Sequence, residues 1–289
     1  MKRLTSFLEM IRFEHTIFAL PFAYVGMVLA WGSWENANWW DFLWISVAMA
    51  AARTAAMAFN RYIDRTIDIG NPRTANRPIQ SGSIDARSVL ISAIAATGIL
   101  AIAAWMLDPL ALLLFPGALA LLVGYSYTKR FTWMSHYVLG FTDGLAPMGA
   151  WVAVTGSIFT VDDLPAWLLL AAVTLWIGGF DVIYACQDVS FDREHGLHSI
   201  PARFGLERGL LVARISHIAT ILVLITLGTT TGLSWPYWLG LVIIAGLLVY
   251  EHSLVSPTNL SRINVAFFNI NGYISITLFV GTFAAVIVP

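Results

Sequence analysis

A single cysteine, Cys186, leaves this chain of 289 residues no intramolecular disulfide; the redox compartment stays open. Charge is the second scarcity, at 11% Asp, Glu, Lys and Arg against 58% hydrophobic residues. A soluble globular domain carries about a quarter charged residues, so water is the wrong solvent for most of this surface. Low-complexity tracts and Pro/Gly/Ser-rich linkers are also missing, and residues 1–289 therefore read as a single domain. The apolar runs are continuous rather than alternating, which excludes a β-barrel. A net charge of −1 carries little meaning by itself, and no nucleic-acid partner is expected.

What the chain does have is apolar length. Runs near residues 15–34, 41–63, 87–107, 109–128, 135–156, 165–187, 209–229, 236–254 and 264–288 predict nine helices. Each is long enough for a hydrocarbon core about 30 Å thick. The fold expected is an all-α, multi-pass membrane protein with nine transmembrane helices around a central cavity, its partner the lipid bilayer. The first run follows Glu9, Arg12 and Glu14 and is of spanning length, which fits a retained helix better than a cleaved signal peptide.

The charges support this count independently. The loops after the second, fourth, sixth and eighth helices hold Arg61, Arg65, Arg73, Arg77, Arg87, Lys129, Arg130, Arg193, Arg203, Arg208, Arg214 and Arg262; with Lys2, Arg3 and Arg12 these make 15 of the 16 basic residues. The opposite loops carry Glu35, Asp41, Asp108, Asp162 and Asp163 and neither Lys nor Arg. Basic residues stay on the cytoplasmic side, so the N-terminus is predicted inside and the C-terminus outside, in a bacterial-type inner membrane. Trp31, Trp34, Trp39, Trp40, Trp235, Tyr237 and Trp238 fall at the outer ends, as an interfacial belt does. Arg53, the remaining basic residue, lies inside the second helix, where a charge is expensive and needs a partner or a function.

Two acidic clusters lie at inner helix ends. Asn60, Asp64 and Asp68 follow one another at a spacing of four, and so do Tyr184, Asp188 and Asp192, with Asp181 one step earlier. That spacing places each triplet on one helical face, where stacked carboxylates repel unless a cation sits between them. Hard carboxylate oxygens suit Mg²⁺, which commonly binds through one or two carboxylates plus substrate phosphates. Asn60, Asp64, Asp68, Asp181, Asp188 and Asp192 are the metal-binding candidates. The plainer alternative, two solvated acidic helix ends, does not explain why the pattern occurs twice with basic residues beside both copies. Arg73 and Arg77, four apart in the loop after Asp68, suit paired hydrogen bonds to phosphate oxygens. Tyr125 and Lys129 close the fourth helix on the same side and are candidates for a further diphosphate contact.

These runs resemble the UbiA superfamily of intramembrane prenyltransferases. The match lies in Asn60-x3-Asp64-x3-Asp68, Asn71-Pro-Arg-Thr-x-Asn-Arg-Pro, Tyr125-x3-Lys129 and Asp181-x2-Tyr184-x3-Asp188-x3-Asp192. The opening Arg12-Phe-Glu-His15-Thr-Ile-Phe-Ala-Leu-Pro21 and the later Ala146-Pro147-Met-Gly149-Ala-Trp151 are similar to bacterial quinone-pathway members, 4-hydroxybenzoate polyprenyltransferase-like. The resemblance implies an Mg²⁺-dependent enzyme that transfers a polyprenyl group from polyprenyl diphosphate to an aromatic acid acceptor in ubiquinone or menaquinone biosynthesis. The acceptor is 4-hydroxybenzoate-type or, alternatively, the 1,4-dihydroxy-6-naphthoate of the menaquinone futalosine branch. It also implies that Asn60, Asp64, Asp188 and Asp192 lie nearest the metals; Asp64, Asp188 and Arg53 are the catalytic candidates, in a site expected to face the cytoplasm. Asp143, inside the fifth helix, departs from what the family leads one to expect.

Arg53 lies two turns deeper than Asn60 on the same face, about 10 Å further toward the bilayer centre. It is the candidate for holding the acceptor's carboxylate, with a structural ion pair to Asp143 as the competing reading. Glu14, His15 and His136 border helix starts and read as interfacial. His195 and His198 lack the further ligands of a zinc site. Among rival classes, a CDP-alcohol phosphotransferase needs Asp-Gly-x2-Ala-Arg, but the one Asp-Gly, Asp143-Gly144, continues Leu-Ala-Pro. A non-enzymatic transporter would gather its charges near mid-membrane instead of at one face.

Overall fold

The computed structural model describes residues 16–288, and the side chains of all of these but 16–19, 267 and 268. Lys2, Arg3, Glu9, Arg12, Glu14, His15 and Pro289 lie outside the described residues. Among those described, every long element is helical: α1 (Thr16–Trp31), α2 (Trp39–Ile63), the short α3 (Arg65–Gly70), α4 (Ala86–Leu107), α5 (Pro109–Thr128), α6 (Ser135–Thr155) and α7 (Leu164–Ala185). The short α8 (Val189–Glu194) and α9 (Ile200–Phe204) follow, then α10 (Leu206–Thr231), α11 (Trp235–Ser253) and α12 (Asn271–Ile287), the last entered through a π-helical turn at Val265–Ile270. Each of the nine predicted segments thus contains one long helix.

Local chemistry sets the ends. Asn38 caps α2 by accepting from the Trp40 amide at 3.0 Å, and Asp108 caps α5 through Leu110, with Pro109 already fixed at the first helical position. Asp108 alone separates α4 from α5, so the two run antiparallel. Among the described residues, six helices are long and apolar enough to cross a membrane, while Leu20–Trp31 and Asn271–Ile287 are shorter apolar helices. Only 11% of the apolar window of Pro109–Thr128 is buried inside the protein. Its outer face (Leu112, Leu113, Leu114), like Ile91, Ile94, Ile102 and Trp105 on α4, is exposed without polar alternation. Surfaces of this kind call for hydrocarbon as solvent.

The tightest packing runs α2 on α4, α6 on α7 and α7 on α10, with α1 wedged against α6, α2 and α12. A large apolar cluster, including Leu169, Val173, Leu227, Tyr237 and Ile244, joins α7, α10 and α11. Glycines permit the close approaches. A Cβ on Gly140 of α6 would lie 2.3 Å from the Thr174 carbonyl oxygen of α7, and one on Gly179 of α7 would lie 2.6 Å from the His217 ring of α10. α7, which leads into the second acidic cluster, is therefore gripped on both flanks.

Candidate active site

The two acidic clusters meet at one end of this bundle. Neither rides on an unbroken helix as the spacing predicts: α2 ends at Asp64, and a 3₁₀ turn at Cys186–Asp188 separates α7 from α8. The register nonetheless survives across the first break, since the Asp64 amide bonds the Asn60 carbonyl and the Asp68 amide the Asp64 carbonyl, both at 2.9 Å. Asp64 and Asp68 are only 2% and 5% exposed, so each carboxylate requires a partner.

Those partners are cations. Asp64 accepts from Lys129 Nζ at 2.6 Å, from Asn60 Nδ2 at 3.1 Å and from Arg130 Nη2 at 3.4 Å. Asp68 accepts from Arg77 at 2.5 Å. Asp188 is held by Arg73 through two bonds, Nε to Oδ1 at 3.1 Å and Nη2 to Oδ2 at 2.6 Å, with Asn71 Nδ2 adding a third to Oδ1 at 3.2 Å. The remaining Arg73 nitrogen, Nη1, donates to the Tyr184 hydroxyl at 3.1 Å. Asn71 and Arg73 thus stitch the loop after the first cluster to the second cluster, 115 or more residues away in sequence. The loop is itself shaped locally, by the Arg73 amide on Asn71 Oδ1 and by the buried Thr74 hydroxyl on the Asp68 carbonyl. Burial alone would lower the Arg73 pKa; its hydrogen bond to Asp188 and the nearby Tyr184, Asp188 and Asp68 outweigh that and raise it.

Asp192 stands apart from these pairs and accepts from Ser199 at 2.7 Å. Asp181, expected among the metal-binding carboxylates, accepts from His136 Nδ1 at 2.7 Å. The Ile200 amide donates to His136 Nε2 at 3.2 Å, so in the neutral ring the proton sits on Nδ1 and points at Asp181. His136 is 4% exposed, and the interfacial reading of it does not hold. Its partners come from α7 and from the start of α9, 45 and 64 residues away in sequence. Arg130 closes the run from Tyr125 read as a further phosphate contact, Asn71 heads the matched loop motif, and Ser199 is a contributor to which the sequence gave no role.

Deeper in the bundle, Arg53 and Asp143 form no ion pair among the described residues, so the structural pairing weighed for them is not seen. They are near enough to feel each other's charge, and Tyr125 feels both. Tyr125 thus has Arg53 and Asp143 as charged neighbours along with Arg61.

Among the described residues, no three His, Cys, Asp or Glu side chains converge closely enough to hold a metal by themselves. The donor set is still of the kind Mg²⁺ takes: oxygens, supplied by one or two carboxylates at a time. Asn60, Asp64, Asp68, Asp188 and Asp192 fit that requirement.

Similarity to known proteins agrees with this geometry. The chain is 30% identical to the 4-hydroxybenzoate octaprenyltransferase of Citrobacter koseri, covering 96% of this chain and 95% of that protein. It is likewise 30% identical to the enzyme of the same name from Klebsiella pneumoniae, again over 96% of this chain and 95% of that one. An apo UbiA homologue from Aeropyrum pernix K1 superposes with a TM-score of 0.84 at 34% identity, covering 93% of this chain and 96% of that one. A UbiA homologue from Archaeoglobus fulgidus, solved with GPP and Mg²⁺, shares the fold at a TM-score of 0.70 and 19% identity, over 97% of this chain and 99% of that one. Residues 19–273 match the UbiA prenyltransferase family, and the chain belongs to that family of integral membrane transferases.

Proposed function

We propose that this prenyltransferase moves a polyprenyl group from its diphosphate onto an aromatic acid of the 4-hydroxybenzoate type, in quinone biosynthesis, with Mg²⁺ as cofactor. The observation that carries the reading is the meeting of two acidic clusters under four cations, Arg73, Arg77, Lys129 and Arg130, at one end of an apolar bundle. The names of the relatives support the aromatic acceptor, and the Archaeoglobus fulgidus structure supports a prenyl diphosphate with Mg²⁺. When bound, Mg²⁺ neutralises charge that grows on the departing diphosphate.

The chain's own residues supply the rest. Asn60, Asp64, Asp68, Asp188 and Asp192 hold the cofactor. Arg73, Arg77 and Lys129 meet the phosphate oxygens; Arg73 is best suited because its fork already makes paired bonds to a carboxylate, which presents the same geometry. The apolar walls keep water from the reactive carbon and give the prenyl tail a place to lie. Arg53, with its Nε buried and unbonded, receives the acceptor's carboxylate. The one-sided charge map supports a cytoplasmic orientation for this end of the bundle, in a protein that would cross the inner membrane nine times.

The test is an assay in detergent with a polyprenyl diphosphate, offering hydroxybenzoate and dihydroxynaphthoate side by side, with and without EDTA. Prenylated hydroxybenzoate, formed only with Mg²⁺, is expected. Product from dihydroxynaphthoate alone would move the acceptor to the menaquinone branch, and no product from either acid would overturn the reading.

A further inference from the structure

We propose that the cavity between α8 and the start of α10 holds the phosphate head of an anionic phospholipid, whose acyl chains lie along the outer face of α10.

The cavity has a volume of about 480 Å³ and is lined by Val189 and Arg193 of α8, by Phe204 and by residues 205–208. That size falls within the roughly 300–1,000 Å³ of small-molecule sites. Its two cations are uncommitted. Arg193 donates through Nε to the Ala202 carbonyl at 2.8 Å, which ties α8 to α9 and leaves its terminal nitrogens for the cavity. Among the described residues neither Arg193 nor Arg208 forms an ion pair, whereas Arg73, Arg77, Lys129 and Arg130 are each taken up by an aspartate. Glu207 lines the cavity as well, and against two arginines it leaves the balance positive.

The surface beside the cavity is built for hydrocarbon. α10 is 26 residues long, and about 20 suffice for the hydrocarbon core, so more than a turn is left for the headgroup layers. Arg208 lies in the first turn. From it Leu211, Ile215, Ile218 and Leu222 follow at steps of three and four, on one face and all more than half exposed. Phe204 sits beside Arg208 at the mouth, its ring edge-on to Trp133 at 5.4 Å, an aromatic pair suited to headgroup depth. Inside-positive charge by itself explains arginines anywhere in this loop. It does not explain two guanidiniums sharing one cavity at the head of an apolar stripe.

That juxtaposition selects the occupant. A free phosphate would use the arginines and leave the stripe idle. A zwitterionic lipid brings an ammonium that the arginines repel. A prenyl diphosphate travels with Mg²⁺, and Glu207 alone is a poor holder for that ion. A phospholipid of net negative charge satisfies both the cavity and the stripe, since basic pockets at helix ends recognise such headgroups. α8 follows Asp188 directly and contains Asp192, so a phosphate shared by Arg193 and Arg208 also ties the second acidic cluster to α10.

The test titrates the full chain in neutral detergent with phosphatidylglycerol, phosphatidylcholine or inorganic phosphate. Bound lipid is counted by native mass spectrometry, with the melting temperature followed alongside. Phosphatidylglycerol should bind at least about tenfold more tightly than phosphatidylcholine and raise the melting temperature; inorganic phosphate should not raise it. Arg193→Gln and Arg208→Gln should each weaken phosphatidylglycerol about fivefold, Glu207→Gln should tighten it several-fold, and none should change phosphatidylcholine. Arg208 and Glu207 are exposed, and no bond from either side chain is seen among the described residues, so these two variants test the site even if Arg193→Gln folds poorly. Equal binding of the two lipids, or phosphatidylglycerol binding unchanged by Arg208→Gln, overturns the proposal. The same melting shift from inorganic phosphate would make the cavity a free-anion site and overturn it too. So would displacement of phosphatidylglycerol by an equal concentration of geranyl diphosphate, which would assign the cavity to the donor.

Discussion

Replacing Arg73 by lysine separates charge from geometry at the point where the two clusters are joined. Arg73 makes three directed side-chain bonds, two to Asp188 and one to Tyr184, and its guanidinium lies 5.1 Å from the centre of the Tyr184 ring. Lysine keeps the positive charge but offers one compact ammonium, so it keeps one strong contact and loses the fork. Two lost charge-assisted bonds would cost about 3–6 kcal/mol if fully buried. The side chain is 33% exposed, so solvent screening reduces this, and about 1.5–3 kcal/mol is the working figure. At about 1.4 kcal/mol per factor of ten, kcat/KM for the polyprenyl diphosphate should fall roughly tenfold to a hundredfold. Because negative charge grows on the leaving diphosphate, kcat should fall more than the donor KM rises. Steady-state kinetics at saturating acceptor measure this, with a thermal melt to check folding and the acceptor KM as an internal control. Arg73→Lys within twofold of wild type would refute the geometric argument, and a lowered melt with a reduced apparent kcat and unchanged KM values would show a loss of folding instead.

Asp64→Asn and Asp188→Asn should each cut turnover by at least about a hundredfold while melting near the wild-type temperature, and EDTA should silence the wild type until Mg²⁺ is returned; full activity in either variant, or in chelator, contradicts the two-cluster site. Reporter fusions after Arg65, Lys129 and Arg203 should report the cytoplasm, and fusions after Asn36, Asp163 and Pro289 the opposite side; a cytoplasmic C-terminus makes the span count wrong by an odd number. Gly140→Ala pushes a Cβ into the Thr174 carbonyl and should lower stability by about 1–3 kcal/mol, read as a reduced melting temperature; an unchanged melt means α6 and α7 are not packed as described.

The parts of this molecule legible in sequence are those set by local rules. Helix positions follow from apolar length, and the ends follow from Asn38, Asp108 and Pro109, each acting within two or three residues. The acidic triplets were visible because a spacing of four survives even where α2 breaks at Asp64. The partners of those carboxylates were not, since Lys129 reaches Asp64 across 65 residues and Arg73 reaches Asp188 across 115. Asp181 shows the same limit most sharply. Its place at the head of the second motif reads as one more metal ligand, and the partner it has in the structure is His136 on α6, pinned by the amide of Ile200. Nothing within a turn of either residue announces that contact.

On the proposed reading, the ion pairs seen here have a consequence for how charge is handled. Asp64 and Asp68 are almost wholly buried, and leaving either unpaired would destabilise the site by several kcal/mol. Lys129, Arg130 and Arg77 compensate them, and these cations stand on flexible stems at the rim, with Lys129 34% and Arg130 35% exposed. A diphosphate entering with its metal brings negative charge for the cations and positive charge for the carboxylates. Each ion pair can then be exchanged for another, and no buried group passes through an unpaired state. The same residues that steady the aspartates before binding become the ones that grip the phosphates afterwards. This places the cost of opening the site on exposed side chains, where rearrangement is cheapest, and leaves the buried carboxylates where the helices set them.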